Sequence, residues 1–312
     1  MTGGAGFVGS HLVKALNRRG IDDVLVVDDL QQSEKFENLV DCAISDYLDK
    51  DDFRKLLETD KIGKVAAILH QGACTDTTES DGRYMLQNNY EYSKVLLDYA
   101  LRHAIPLVYA SSAAVYGGGR VFREDPVNER PLNVYGFSKL LFDRYVRRRL
   151  PDAGSTVVGL RYFNVYGPGE AHKGKMASMI YQLYRQASTT GVMRLFTGTD
   201  GFGDGEQRRD FVFVRDLAEI NLFFMDGPSR RGVFNAGSGQ SRSFNDVARS
   251  ILELLGRGSL EYVPFPETLR GKYQSFTEAD ISALRKAGYD RPFTPLEQGI
   301  KEYLGARPAP LD

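Results

Sequence analysis

The 312-residue sequence contains few of the residues that cross-link a chain or bind a metal: two cysteines, four histidines and no tryptophan. Cys42 and Cys74 cannot form the disulfide framework of a small secreted protein. We expect both to be buried thiols in a reducing compartment. The four histidines show no ligand spacing, so we predict no metal site.

Long apolar runs and an excess of charge are also lacking. No apolar stretch approaches the length of a membrane span, and no signal peptide opens the sequence. The formal net charge is −1, so no overall field favours nucleic acid or a membrane surface. With 42% hydrophobic residues, the chain can bury a large core. We therefore predict a cytoplasmic globular protein of one large domain or two closely joined ones.

The sequence opens on a glycine-rich turn. Gly3, Gly6 and Gly9 are followed by a helical pattern and then by a buried strand that ends in Asp28. Glycines let the backbone approach a pyrophosphate, and the N-terminus of the following helix attracts its charge. An acid about 20 residues further on can bind the adenosine ribose. This combination predicts a dinucleotide-binding site.

The strand that should precede these glycines is not recognisable, because only Met1 stands before Thr2. A central parallel strand is indispensable to this type of sheet. We expect the strand to be supplied either by residues ahead of this sequence or by another segment.

The spacing of one tyrosine–lysine pair predicts acid–base chemistry. Tyr135 and Lys139 are four residues apart and therefore share one face of a helix. An ammonium group beside a phenol lowers the phenol's pKa, because it stabilises the phenolate. Such a tyrosine can take the proton of a sugar hydroxyl and return it. A hydride acceptor beside it would convert the alcohol to a ketone.

The same spacing recurs at Tyr90 and Lys94, so spacing alone does not identify the reactive pair. A strand-like run ends in Ser112 shortly before Tyr135. A hydroxyl at the carboxyl end of a parallel strand can reach a substrate in the crevice there. Tyr90 lies inside a long helical pattern with no comparable strand just before it. We therefore assign the chemistry to Ser112 and the Tyr135 pair, and interpret the Tyr90 pair as helix surface.

The residues alone leave the choice between NAD and NADP open. Asp28 favours NAD, because a carboxylate repels a 2′-phosphate. Lys35 and Lys50 lie in polar segments further on, where they are either solvated surface charges or contacts to a 2′-phosphate. Only as contacts to a 2′-phosphate would these lysines offset the negative charge of Asp28.

The next predicted strand, 65–69, is followed by the segment 70–75. Small residues at the end of a strand allow a cofactor to approach the backbone closely. We interpret His70 as a packed, hydrogen-bonded histidine rather than a catalytic one. Asn88, in a helix predicted over 81–103, is either a cofactor contact or a buried amide.

The β–α alternation is strongest in the first half of the chain. We predict an α/β fold with a doubly wound parallel sheet, a Rossmann domain, over residues 1–164. Residues 165–312 are predicted to form mostly a smaller, mixed C-terminal lobe that holds substrate. Segments near 208–238 are expected to return to the Rossmann domain. The segment 201–207 is predicted to be a polar, glycine-rich surface loop.

These motifs together resemble the extended short-chain dehydrogenase/reductase family of sugar-nucleotide enzymes. The segments that carry the resemblance are 2–9, Ser112, Tyr135 with Lys139, 161–168 and 209–212. The similarity spans nearly the whole chain. Segments that are similar to family members acting at C6 of an ADP-linked heptose, in lipopolysaccharide-core precursor synthesis, are 71–75, 170–174 and 271–274.

The resemblance implies one tightly bound NADP per subunit, with NAD as the alternative. Its implied contacts, together with the glycines of the turn, are Gly3, Gly6, Phe7, Val8, Gly9, Asp28, Asp29, Lys35, Lys50, Gln71, Gly72, Ala73, Cys74, Thr75, Asn88, Lys139, Val165 and Lys173. The implied substrate contacts are Asn164, Phe196, Thr197, Gly198, Thr199, Arg209 and Tyr273. We add Lys175 and Gln182, which stand where better-known members carry serine and histidine.

The resemblance also implies an isomerase that inverts C6 of an ADP-heptose by transient oxidation. The hydride leaves C6 and returns to the other face of the ketone, so the net redox change is zero. Tyr135 and Lys173 are implied as the two acid–base residues, with Ser112 hydrogen bonded to the reacting oxygen. A homo-oligomer, a pentamer, is implied as well.

Three other functions use the same scaffold. A 4,6-dehydratase needs an acid pair just after the catalytic serine, and Ala113 and Ala114 stand there instead. A C4 epimerase of UDP-sugars would use the same Ser112, Tyr135 and Lys139, and so stays open. A non-catalytic cofactor sensor would not need an activated phenol, which argues against that interpretation.

Overall fold

The computed structural model describes residues 1–271 and 273–305. The strands are β1 (Leu25–Asp28), β2 (Asp46–Asp49), β3 (Ile68–His70), β4 (Leu107–Ser112), β5 (Val157–Tyr162), β6 (Asn164–Tyr166), β7 (Val192–Phe196), β8 (Arg208–Phe213), β9 (Arg231–Ala236), β10 (Ser241–Ser243) and β11 (Ser259–Val263). The α-helices are α1 (Phe7–Asn17), α2 (Lys50–Glu58), α3 (Gly82–Leu86), α4 (Tyr92–Arg102), α5 (Val134–Arg149), α6 (Met179–Thr190), α7 (Val214–Asp226), α8 (Phe244–Leu255), α9 (Ser282–Lys286) and α10 (Leu296–Gly305).

Six strands and the first two residues form one parallel sheet. The order is β2, β1, Met1–Thr2, β3, β4, β5, β9. Thr2 bridges Val27 on one side and His70 on the other, and its backbone N–H donates to the carbonyl of Leu69 at 3.0 Å. Met1 and Thr2 therefore occupy the central position for which the sequence offered no recognisable strand.

Helices cover both faces of this sheet, because successive strand residues point to opposite sides. In β4, Val108 belongs to the core cluster under α1 and α7, whereas Leu107 and Tyr109 belong to the cluster under α2, α4 and α5. All three are at most 1% exposed. Burying one such side chain contributes about 1.5–3 kcal/mol to the free energy of folding. The predicted doubly wound α/β fold is confirmed.

A second, smaller group of elements follows β5. β6 pairs in parallel with β8, β10 pairs antiparallel with β8, and β7 pairs in parallel with β11. Helices α6, α8 and α10 pack over these strands around their own core cluster. The chain crosses back at residues 214–236, since α7 packs against α1 and β9 pairs with β5.

Two predicted elements differ from the structure. The strand predicted at 65–69 forms only from Ile68 to His70. The helix predicted over 81–103 is interrupted by a π-helical segment, Gln87–Glu91, between α3 and α4. Such segments are frequent at functional sites, because the wider turn re-aims the side chains that follow. Sequence periodicity does not distinguish this insertion from a regular helix.

Within 1–271 and 273–305, no helix is both long and apolar enough to cross a membrane. Cys42 and Cys74 are both free thiols and are only partly buried, so the expectation of full burial was wrong.

Candidate active site

The glycine turn lies against the loop that follows β3. A Cβ atom on Gly3 would lie 2.5 Å from the backbone nitrogen of Gly72, and a Cβ on Gly9 would overlap the carbonyl oxygen of Gly3. Gly3 also has a positive φ of 69°. Only glycine fits at these positions, because backbone packs against backbone there. The turn leads into the N-terminus of α1, where the backbone N–H groups favour an anion.

Asp28 ends β1 beside this turn, and its carboxylate is already partnered. One oxygen accepts from the backbone N–H of Ala5 at 2.8 Å. The other accepts from the backbone N–H of Asp29 at 2.7 Å and from the ammonium of Lys35 at 2.8 Å. The carboxylate of Asp28 therefore has Lys35 as its ammonium partner.

The neighbouring acid is partnered in the same way. Lys50, at the start of α2, lies 3.0 Å from the carboxylate of Asp29 and donates to the side-chain oxygen of Asn88 at 3.3 Å. The pKa of Asp29 is lowered: burial raises it, but the hydrogen bonds from Gln31 and Lys50 outweigh that effect. The predicted contacts Lys35, Lys50, Asp29 and Asn88 thus lie in one polar cluster at the ends of β1 and β2.

Asn89, which the sequence analysis did not single out, holds the loop after β3. It is 1% exposed, accepts from the backbone N–H of Cys74 at 2.7 Å and donates to the carbonyl of Cys74 at 2.9 Å. It also donates to the hydroxyl of Ser138, on α5, at 3.1 Å. Its position in the π-helical segment was not readable from the sequence.

His70 is a packed residue, as predicted. Its two ring nitrogens are hydrogen bonded to Thr2 Oγ1 at 2.6 Å and to Ser93 Oγ at 2.8 Å. Burial lowers its pKa to about 3, so the ring is neutral at physiological pH. The next residue, Gln71, accepts at 2.8 Å from the hydroxyl of Tyr162.

Ser112, Tyr135 and Lys139 are brought together at the carboxyl end of β4. Ser112 is the last residue of that strand, and its hydroxyl is hydrogen bonded to the phenol of Tyr135. Lys139 donates to the carbonyl of Ala110 at 2.9 Å. A Cβ on Gly136 would lie 2.7 Å from the carbonyl oxygen of Ala114, so this glycine allows α5 to approach the end of β4.

The pKa values of Tyr135 and Lys139 differ from those expected from the sequence. The pKa of Tyr135 is raised, because burial outweighs the hydrogen bond from Ser112. Lys139 is not among the groups that shift it; burial lowers the pKa of Lys139 itself to about 8. The expectation that Lys139 brings the phenol towards neutrality is therefore wrong for the protein alone, because desolvation dominates at both residues.

The other tyrosine–lysine pair lies away from the strand ends. The ammonium of Lys94 is 4.8 Å from the ring centroid of Tyr90 and 2.8 Å from the carboxylate of Glu91. Tyr90 also packs edge-on against Tyr145 of α5. This is the surface packing that the sequence analysis assigned to the pair.

Lys173 lies in a short 3₁₀ segment, Ala171–Met176, against the start of α1. Its ammonium is 5.5 Å from the ring centroid of Phe7, the first residue of that helix. Burial lowers its pKa, and nearby Glu170 acts in the opposite sense. Glu170 is itself fully buried and accepts from the hydroxyl of Ser178 at 2.7 Å, which anchors the segment.

Lys175 and Gln182, predicted as substrate contacts, are partnered within the protein. Lys175 donates to the hydroxyl of Thr78 at 2.9 Å and lies 3.4 Å from the carboxylate of Asp76. Gln182 donates to the carbonyl of Gly174 at 2.7 Å. Both therefore support the segment that carries Lys173.

The remaining predicted substrate contacts lie on or next to the strands of the smaller group. The guanidinium of Arg209 is 4.8 Å from the ring centroid of Tyr273, and Phe265 packs between Tyr273 and Phe196. Burial lowers the pKa of Arg209, which is 7% exposed. The residues that follow Phe196 are held by the loop 200–206. The backbone N–H of Gly198 donates to the carboxylate of Asp204, in that loop, at 2.8 Å.

Two predicted residues connect the two groups of strands. Asn164 is exposed at the start of β6 and accepts from Thr277 at 3.4 Å. Val165, next in the chain, packs against the core cluster beneath α1 and α7.

Known proteins share both the sequence and the fold. A family model described as the NAD dependent epimerase/dehydratase family matches residues 1–237. ADP-L-glycero-D-manno-heptose-6-epimerases from Alkalilimnicola ehrlichii and Cupriavidus pinatubonensis are 56% and 53% identical to the chain, covering 98% and 97% of it and 96% of each relative.

Solved structures agree. The Helicobacter pylori ADP-L-glycero-D-manno-heptose-6-epimerase is 35% identical, with a TM-score of 0.85, over 98% of this chain and 94% of that one. A Thermus thermophilus UDP-glucose 4-epimerase in complex with NAD is 27% identical, with a TM-score of 0.79, over 97% and 96%. The chain belongs to the NAD dependent epimerase/dehydratase family.

Proposed function

We propose that this protein interconverts ADP-D-glycero- and ADP-L-glycero-D-manno-heptose by inverting C6, a step in lipopolysaccharide-core precursor synthesis. The observation that carries the proposal is the assembly of Ser112, Tyr135 and Lys139 at one strand end, beside the glycine turn. The near full-length relatives named for this activity supply the substrate. We further propose a cytoplasmic homo-oligomer, a pentamer.

The residues at the ends of β1 and β2 fit a nicotinamide dinucleotide. The glycine turn leads into the N-terminus of α1, which favours a pyrophosphate, and Lys35 and Lys50 stand beside Asp28 and Asp29. We propose NADP, because each acid that would repel a 2′-phosphate has its own ammonium partner. When bound, this cofactor accepts a hydride from the substrate carbon and gives it back.

The chain's own residues move the protons and hold the sugar. Tyr135, as the phenolate, takes the proton of the C6 hydroxyl while the ketone forms, and the Ser112 hydroxyl hydrogen bonds the reacting oxygen. The Lys139 ammonium supplies a positive charge near Tyr135 and Ser112. Inversion turns the sugar's oxygen away from one proton donor, so we propose Lys173 as the second acid–base residue; its lowered pKa supports this role.

The nucleotide half of the substrate is proposed to lie on the smaller group of strands. Arg209 and Tyr273, beside the Phe196–Thr199 segment, offer a buried guanidinium for phosphate and aromatic rings for a base. We propose residues 1–164 with 214–236 as the cofactor domain and the rest of 165–312 as the substrate lobe.

The test is incubation with a panel of ADP-, UDP- and GDP-sugars, with product stereochemistry read by NMR. We expect inversion at C6 of ADP-heptose only. Nucleotide released by denaturing the purified protein is expected to be NADP. Conversion of a UDP-sugar at C4, without action on ADP-heptose, would contradict the proposed substrate; release of NAD would contradict the proposed cofactor.

A further inference from the structure

Asp143 lies one helical turn after Lys139 on α5, and the reaction proposed above does not use it. It is fully buried. Its carboxylate accepts hydrogen bonds from the hydroxyl of Tyr109 at 3.0 Å, the hydroxyl of Ser111 at 2.9 Å and the guanidinium of Arg161 at 3.0 Å. A buried carboxylate that accepts from three donors is fixed in place.

These partners connect α5 to the two strands beside it. Tyr109 and Ser111 lie on β4, and Ser111 directly precedes Ser112, while Arg161 lies on β5. Asp143 therefore ties the helix that carries Tyr135 and Lys139 to the strand that carries Ser112. A shift of either element would break buried hydrogen bonds, each of which is costly to leave unmade.

We propose that Asp143 is a positioning residue that keeps the buried Lys139 ammonium charged and fixes α5 against the end of β4. The proposal rests on the proposed function only in taking Lys139 to be catalytic.

The charges around Lys139 support this assignment. Burial lowers the pKa of Lys139 to about 8, and Asp143 is the largest opposing influence. Facing Lys139 from the end of β3 and its loop are His70, which is kept neutral by burial, and the thiol of Cys74. The nearby π-helical segment contributes a neutral amide, Asn89.

Arg161 shares its charge between two acids. Besides Asp143, it contacts the buried carboxylate of Glu129, which is also paired with Arg147 at 2.7 Å. Asp143 and Glu129 thus share Arg161, and Arg147 gives Glu129 a second partner. Asp143 lies one helical turn from Lys139, on the same face of α5.

The experiment measures kcat at saturating ADP-heptose from pH 6 to 10 in the wild type, Asp143→Asn and Tyr109→Phe. The NMR titration of the Lys139 side chain, assigned with Lys139→Met, runs in parallel on the same holoenzymes. Asparagine removes the charge at constant shape. The Tyr109→Phe control removes one hydrogen bond and leaves the charge.

We expect kcat of the wild type to fall above pH about 8, as Lys139 loses its proton. In Asp143→Asn, the fall and the Lys139 titration should both move about one unit lower. Tyr109→Phe should leave both within about 0.3 unit of the wild type. A folded Asp143→Asn variant with an unmoved Lys139 titration would overturn the proposal.

If Asp143→Asn does not fold, the wild type alone can still overturn the proposal. A Lys139 pKa below 7 in the intact holoenzyme would mean that Asp143 does not keep the ammonium charged, and would overturn the proposal. The NMR measurement needs no turnover. Absence of ADP-heptose conversion by the wild type would therefore contradict the proposed function and leave the test of Asp143 intact.

Discussion

Tyr135 and Tyr90 each stand four residues before a lysine, but only Tyr135 lies next to the end of a strand. Tyr135 is hydrogen bonded to Ser112 at the end of β4. Tyr90 packs against Tyr145 on the outside of α5, with Lys94 over its ring. A phenol can act on a substrate only where the fold leaves a crevice, which is at the carboxyl edge of a parallel sheet.

We predict that Tyr135→Phe lowers kcat by about 10²–10⁴-fold, because it removes only the hydroxyl that transfers the proton. Cofactor binding should stay within about twofold of the wild type, since the ring still packs. Tyr90→Phe is the matched control and should be nearly neutral. Steady-state kinetics and cofactor titration measure both; an inactive Tyr90→Phe beside an active Tyr135→Phe would reverse the assignment.

We also expect the buried Lys139 ammonium to destabilise the folded protein. Its pKa in the folded protein, about 8, lies below its ordinary value of 10.5. Each pKa unit corresponds to about 1.4 kcal/mol, so holding the charge at neutral pH costs about 3 kcal/mol. Lys139→Met removes that cost and also a hydrogen bond to Ala110, worth about 1 kcal/mol.

We therefore predict that Lys139→Met is inactive and more stable at pH 7 by about 2 kcal/mol. The unfolded chain keeps its proton up to pH about 10.5, so wild-type stability rises between pH 8 and 10.5 and the advantage of the variant disappears there. Urea unfolding of cofactor-free protein at pH 7 and 10 measures this. Lys94→Met, the control, should change stability by less than about 1 kcal/mol. A less stable Lys139→Met at pH 7 would contradict the argument.

At the scale of elements, the short segment Ala171–Met176 is held in place by side chains from several parts of the chain. Glu170 anchors one end through Ser178, and Gln182 donates to the carbonyl of Gly174. Lys175 contacts Asp76 and Thr78 in the segment between β3 and α3. These contacts place Lys173 against the start of α1.

Lys173→Met separates the two roles open to that lysine. If Lys173 is an acid–base residue, as we propose, kcat at saturating substrate and cofactor should fall by about 10²-fold or more. Loss of a phosphate contact alone would instead raise KM and leave kcat nearly unchanged. Lys175→Met is the matched control on the same segment and should retain most of kcat. A normal kcat in Lys173→Met would assign both proton transfers to Tyr135.

At the scale of the whole molecule, the sheet and its helices follow from patterns that are local in the sequence. Glycine spacing, the acid after the first buried strand and the alternation of apolar residues predicted a doubly wound sheet with a cofactor turn. The strand ends that carry Asp28 and Ser112 were read correctly, because a buried strand that stops at polar residues is a local signal. The resemblance to the sugar-nucleotide enzymes rested on the same local segments.

Contacts between distant segments were decided only by the tertiary structure. The pairing of Met1–Thr2 between β1 and β3 and the contact of Lys175 with Thr78 join residues far apart in the chain. The π-helical segment that aims Asn89 at Cys74 also depends on its neighbours in the fold. The pKa values of Tyr135 and Lys139 belong here too. The sequence determined which groups stand four residues apart, but burial, which depends on every neighbouring element, determined how readily each holds its proton.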